Sequence, residues 1–175
     1  MTVSIRRATP SDYDAIDDVV REAFGPDEGP AVATMVRSIR TGEFVSPDHE
    51  LVAEEDGQVV GQVCLSGTPV RAQDGTVGTI TMLSPLAVRP GSQGSGIGSA
   101  LVRAVLHAAT HDGVPFVVLE GSPQYYGRFG FGPAAAYGLH LPIPDWAPPE
   151  AAQILVLDSG APVPAGQVDY PAYVP

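Results

Sequence analysis

At 175 residues and 18.1 kDa, the chain is long enough to bury one hydrophobic core and short for two domains. Nine Lys and Arg against 20 Asp and Glu leave a net charge of −11, which repels a phosphate backbone and excludes the basic footprint of nucleic-acid binders. The single cysteine, Cys64, excludes an intramolecular disulfide and a multi-cysteine metal site, and charges interrupt every apolar run short of a membrane span, so a soluble, cytoplasmic protein is expected.

Residues 3–7 alternate as a short strand, and Thr9-Pro10-Ser11-Asp12 supplies a cap, a proline for the first turn and an acid at the third position. Ile16, Val19, Val20, Ala23 and Phe24 recur at helical spacing, predicting a helix over 10–24 that ends at Gly25-Pro26, with a second helix over 30–40. Two β-leaning runs, 50–55 and 58–66, flank Asp56-Gly57 as a hairpin, and Asp74-Gly75 turns the chain into a third strand over 76–88. Proline donates no ladder hydrogen bond, so Ser84-Pro85 inside that strand predicts a bulge and a splay from its neighbour.

Ile97, Leu101, Val102, Val105 and Leu106 then mark a helix stopped by Gly113 and Pro115, and residues 116–119 read as a buried strand. A short helix over 123–128, Phe129-Gly130-Phe131, and strand-like pieces near 137–141 and 154–157 follow. The domain is read as residues 3–141. Prolines and alanines dominate 142–175, which are expected to drape over the same domain as irregular backbone with one or two edge strands, Trp146 packing against it.

The stretch Val88-Arg89-Pro90-Gly91-Ser92-Gln93-Gly94-Ser95-Gly96-Ile97-Gly98-Ser99 joins a strand to a helix through a run of glycines. That order gathers unbonded N–H groups and the positive end of a helix dipole around one point, a geometry that holds a phosphate. No lysine reaches in, so it is not a Walker-type loop. A dinucleotide reading is open, because Gly94-x-Gly96 opens the helix and Glu120 ends the next strand where a ribose-binding acid belongs. Ser99 at the place of the third glycine, the five residues between Val88 and Gly94, and antiparallel strands upstream weigh against it.

The same stretch, from Gln93-Gly94-Ser95-Gly96-Ile97-Gly98, resembles the [RQ]-x-x-G-x-[GA] acyl-CoA motif of the GCN5-related N-acetyltransferases, the GNAT superfamily. Ser122-Pro123-Gln124-Tyr125-Tyr126-Gly127-Arg128-Phe129-Gly130-Phe131 is similar to the family's Y-x-x-x-G-F segment, in a bacterial branch whose acceptors are mostly unassigned. The resemblance covers residues 3–141. It implies an α/β (α+β) fold: a mixed, mostly antiparallel central sheet with a splayed strand pair, flanked by helices.

The resemblance also implies roles. Leu86, Ala87 and Val88 would lie along the pantetheine arm of acetyl-CoA, with the N–H of Leu86 polarising the thioester carbonyl. Gln93, Gly94, Ser95, Gly96, Ile97, Gly98 and Ser99 would hold the pyrophosphate, with Arg89 as a helper, since Gln93 replaces the frequent arginine. Tyr126 matches the tyrosine that protonates the departing thiolate. The sequence singles out no base for the acceptor amine: Glu120, at a strand end near the expected cleft, is the candidate, and Glu22, Glu28, Glu54 and Glu55 are alternatives that read better as solvated surface charges.

His107 and His111 stand four apart on the loop helix, without the Glu of an H-E-x-x-H pattern, and are read as solvent-facing; no metal is expected. Cys64, between Val63 and Leu65, is read as a small buried hydrophobe. The expected activity is direct acetyl transfer from acetyl-CoA to a primary amine, on a small molecule ahead of a peptide, with neither nucleic acid nor membrane as partner. The alternative is a CoA-binding sensor without catalysis. Dimers are frequent in the family, so a homodimer is one expectation for assembly.

Overall fold

The structure, a computed structural model, describes residues 3–175, which divide into two compact units. One unit holds residues up to 66, 84–109 and 173–175, and the other holds 67–83 and 110–172. Among the described residues the architecture is α/β with a mixed, mostly antiparallel sheet, and no helix is long and apolar enough to cross a membrane.

In the first unit, β1 (Val3–Arg7) pairs antiparallel with β2 (Glu50–Glu55), which pairs antiparallel with the start of β3 (Gln58–Ala72). The Asp56-Gly57 turn is as expected: both residues have positive φ, 50° and 79°, the conformation of the tightest hairpin turns. Between β1 and β2 runs α1 (Tyr13–Thr41), which bends at Gly25, where φ is 75° and ψ −177°. The second helical arm starts directly after this bend, whereas the sequence places it from Pro30. Pro26 stands in the first turn, where the missing N–H has no intrahelical partner to lose, and so starts the arm early.

Buried Ile16, Val19, Val20, Val32, Ala33, Met35, Val36 and Ile39 of α1 pack on Val52, Cys64 and Ala87 of the strands. On the opposite strand face, α2 (Ile97–His111) packs at Gly61, where an added Cβ would meet Leu101 Cδ1 at 3.0 Å and Ile97 Cγ2 at 3.2 Å. Cys64 is buried, and burial pushes its thiol up, which matches the reading of a packed rather than a reactive residue.

Two polar networks tie α1 to the strands. Arg6 of β1 donates from both Nη atoms to Asp12, at 2.8 and 2.9 Å, and to Glu54 at 2.7 Å, while Asp12 Oδ2 also accepts the backbone N–H of Thr9. Arg40, near the end of α1, donates to Glu50 at 2.6–3.1 Å, with both side chains under a tenth exposed.

In the second unit, the end of β3 pairs antiparallel with β9 (Gly166–Val168), which runs parallel to β7 (Leu139–His140). β4 (Val77–Val88) begins there and pairs parallel with β5 (Phe116–Glu120) at Thr81↔Val117 and Met82↔Val118. That ladder stops short of Ser84-Pro85, where the sequence predicts a splay and where β4 passes from one unit into the other. β8 (Ala152–Val156) pairs antiparallel with β5 on one side and with β6 (Gly132–Pro133) on the other. The tail therefore supplies an interior strand rather than an edge strand. Trp146 is also not packed as expected: it is 86% exposed.

Removing one partner of a buried ion pair leaves the other charge uncompensated. Glu50→Ala is expected to destabilise the fold by about 3–5 kcal/mol in denaturant unfolding. Asp48→Ala, which breaks the exposed pair with Arg7, is expected to cost less than about 1 kcal/mol.

The Arg6 guanidinium holds the Asp12 carboxyl well below its ordinary range. A depressed carboxyl stabilises the folded state above its unfolded value of 3.8, and that contribution is lost as pH falls further. Melting temperature is thus expected to drop steeply below about pH 4, and Asp12→Asn to lower it at neutral pH while flattening the acid slope.

Candidate functional site

The first unit carries the glycine loop. β4 ends at Val88, and Arg89 N–H donates to Val60 O at 2.9 Å, anchoring the end of β4 to β3. The side-chain amide of Gln93 reaches back to donate to Val88 O at 3.0 Å, and Ser95 Oγ donates to Ser92 O at 2.6 Å, so the loop is shaped by its own polar groups. Gly94 and Gly96 take positive φ, 76° and 91°, and an added Cβ at either would meet nothing within 4 Å. Glycine is required there by conformation, and the space beside the backbone is open.

α2 starts immediately after this loop, with Ile97 buried in the core and residues 93–96 exposed. The first-turn N–H groups of a helix have no intrahelical acceptor, and they carry the positive end of its dipole. This arrangement fits a phosphate or pyrophosphate group. Arg89 turns to α1 instead, where Nη1 lies 3.8 Å from Glu22 Oε1. Leu86 is half-buried, and Ala87 and Val88 are buried.

The second unit carries Tyr126 and Glu120. Gly121 follows β5 and is held at both ends: its N–H donates to Ala151 O at 3.0 Å, and its carbonyl accepts Gln153 Nε2 at 3.0 Å. Ser122 then caps α3 (Pro123–Tyr126) by accepting Tyr125 N–H at 3.2 Å, with Pro123 at the first helical position. The Tyr126 ring packs edge-on against Tyr125 and Phe131, at centroid distances of 4.9 and 5.8 Å. Burial, aided by Tyr125, pushes its phenol up to about 12, so the group keeps its proton throughout the neutral range.

Glu120 is half-buried, and burial raises its carboxyl above the ordinary 4.5 while a hydrogen bond from the Tyr170 hydroxyl opposes the rise. Tyr170 and Gln153, both in the tail, and Gly121 were missed in the sequence. Their partners stand far along the chain, and the segment from Ser122 to Phe131 is the nearest signal in the sequence. His107 and His111 lie on α2; among the described residues no group of three or more His, Cys, Asp or Glu is placed to hold a metal.

Residues 4–134 match the family model described as an acetyltransferase (GNAT) domain. The chain is 36% identical over 137 residues to the uncharacterized N-acetyltransferase YhbS of Escherichia coli strain K12, covering 77% of each. Its structure is similar to that of a GNAT family N-acetyltransferase, YhbS from Escherichia coli, in complex with CoA (TM-score 0.82, 34% identity, covering 98% of this chain and 91% of that one). It is also similar to a GNAT family acetyltransferase from Brucella melitensis in complex with acetyl-CoA (TM-score 0.74, 31% identity, covering 98% and 97%).

An added Cβ at Gly121 would stand 2.4 Å from Tyr126 Cε2 and 2.8 Å from Cδ2, and the ring is hemmed by its aromatic neighbours. Gly121→Ala is therefore expected to displace the Tyr126 ring. The check is tyrosine fluorescence and near-ultraviolet circular dichroism, with a loss of about 1–3 kcal/mol in stability.

Proposed function

The chain is an acetyltransferase of the GNAT family, and from that premise we propose that it transfers the acetyl group of acetyl-CoA directly to a primary amine, on a small molecule ahead of a peptide. The observation that carries this reading is the open, positive-φ glycine loop at the start of α2, in a fold whose relatives of known structure hold CoA and acetyl-CoA. Acetyl-CoA supplies the acetyl group as an activated thioester. The backbone N–H groups of residues 94–99 receive its pyrophosphate, with the side chain of Gln93 bracing the loop against Val88. Leu86, Ala87 and Val88 offer backbone groups to the pantetheine arm. The N–H of Leu86 polarises the thioester carbonyl, and a preorganised donor of this kind contributes roughly 3 kcal/mol.

The reaction forms a nitrogen–carbon bond and breaks the carbon–sulfur bond. Glu120 takes the proton that the amine must lose, and Tyr126 gives its proton to the leaving thiolate. A phenol well above the thiol value of about 8.5 is protonated when needed, and delivers its proton only when held within hydrogen-bond reach of the thiolate.

Calorimetry with acetyl-CoA, CoA and NAD, followed by thiol release with a panel of amines, tests this reading. Binding of CoA and acetyl-CoA but not NAD, with release on a primary amine, is expected; absence of CoA binding by the folded protein overturns it. Tight binding with no turnover on any amine points instead to a CoA sensor. Tyr126→Phe is expected to keep acetyl-CoA affinity and lose at least about tenfold in turnover at neutral pH. Unchanged turnover removes Tyr126 from the mechanism.

A further inference from the structure

The family model matches residues 4–134, yet the group that touches Glu120 comes from beyond that segment. β9 fixes the tail by its register on β3, with Val70↔Val168, Arg71↔Gln167 and Ala72↔Gly166. The next residue, Asp169, is gripped on every polar group. Its N–H donates to Pro69 O at 3.0 Å, its carbonyl accepts Thr68 Oγ1 at 3.4 Å, and its carboxylate pairs with Arg71 at 2.9 and 3.1 Å. Tyr170 follows with no slack in the chain, its ring on the cluster that includes Phe116, Val118 and Ile154, and its hydroxyl donating to Glu120 Oε1.

Strand alternation puts Glu120 on the same face of β5 as Phe116 and Val118. β8 presents Ala152 opposite it, so the polar partner on that face is Tyr170. Asp169, the residue before it in the tail, is paired with Arg71 of β3.

We infer that Tyr170 is a positioning residue: by donating its hydroxyl to one oxygen of Glu120, it keeps that carboxyl ionised and fixed in place as the proton acceptor for the amine. The inference rests on the reading of Glu120 as the base. A half-buried carboxyl that loses this donor is protonated more readily, and the protonated form cannot accept the proton of an amine. The tail is thereby part of the acceptor chemistry.

Tyr170→Phe removes the donor and keeps the ring. Carbon-13 NMR of glutamate-labelled protein, with the Glu120 signal assigned by its loss in Glu120→Gln, reads the carboxyl directly and without turnover. The signal is expected to titrate at higher pH in Tyr170→Phe, and the acid limb of kcat/KM to move up with it while KM for acetyl-CoA stays unchanged. Adding Tyr170→Phe to Glu120→Gln is expected to cost no further turnover, because both changes act on one interaction.

Should Tyr170→Phe lose the folded circular dichroism spectrum, Tyr170→3-fluorotyrosine keeps the hydroxyl and strengthens the donor, moving the Glu120 titration down. An unchanged titration in either folded variant overturns the inference. A shifted titration with an unmoved acid limb, and with turnover retained in Glu120→Gln, supports the hold of Tyr170 on Glu120 and overturns the role of Glu120 as base.

Discussion

A parallel strand pair cannot be closed by a tight turn; the chain must return by a crossover before the second strand can lie beside the first. β4 and β5 are such a pair, at Thr81↔Val117 and Met82↔Val118, in a sheet that is otherwise largely antiparallel, and α2 is the crossover. A helix that starts just after a strand end exposes its unbonded N–H groups there. The glycine loop is thus a product of topology: the parallel pairing demands a helix, and the helix start supplies the donors. Gly94 and Gly96 let the backbone make the connection.

The charge of the chain sharpens this point. At net −11 it does not attract an anion by its overall field, and Arg89, beside the loop, is turned to Glu22. On the proposed reading, a phosphorylated donor is received by neutral, oriented backbone groups. Such groups are preorganised by the fold and cost little to aim. The unit carrying Tyr126 follows a similar economy: Ser122, Pro123 and the bonds that hold Gly121 fix a four-residue helix, and the aromatic cluster fixes the ring.

Local features were legible in the sequence. Asp56-Gly57 announced its hairpin because few residues tolerate positive φ, and Ile97, Leu101 and Val105 marked the helix by period alone. The restart of α1 was misjudged by four residues because Pro26 and Pro30 both suit a first turn, and composition does not choose between them. What the sequence hid was long-range. The bond from Tyr170 to Glu120 joins residues 50 apart, and that from Gln153 to Gly121 joins residues 32 apart. Neither has a local signature. A strand-like piece near 154–157 marked β8, but its interior place between β5 and β6 depends on partners rather than on propensity, and the proline and alanine content of the tail suggested an edge instead.

The place of β8 carries a consequence for inheritance. A strand lodged between two others satisfies backbone groups on both of its sides, so losing it would bare an edge of β5 to any passing chain and invite aggregation. A gene that acquired a different ending would have to bring a replacement strand in the same register. The tail of this chain is therefore tied to β5 and β6 by strand pairing, and the freedom to vary there belongs to the residues between its strands.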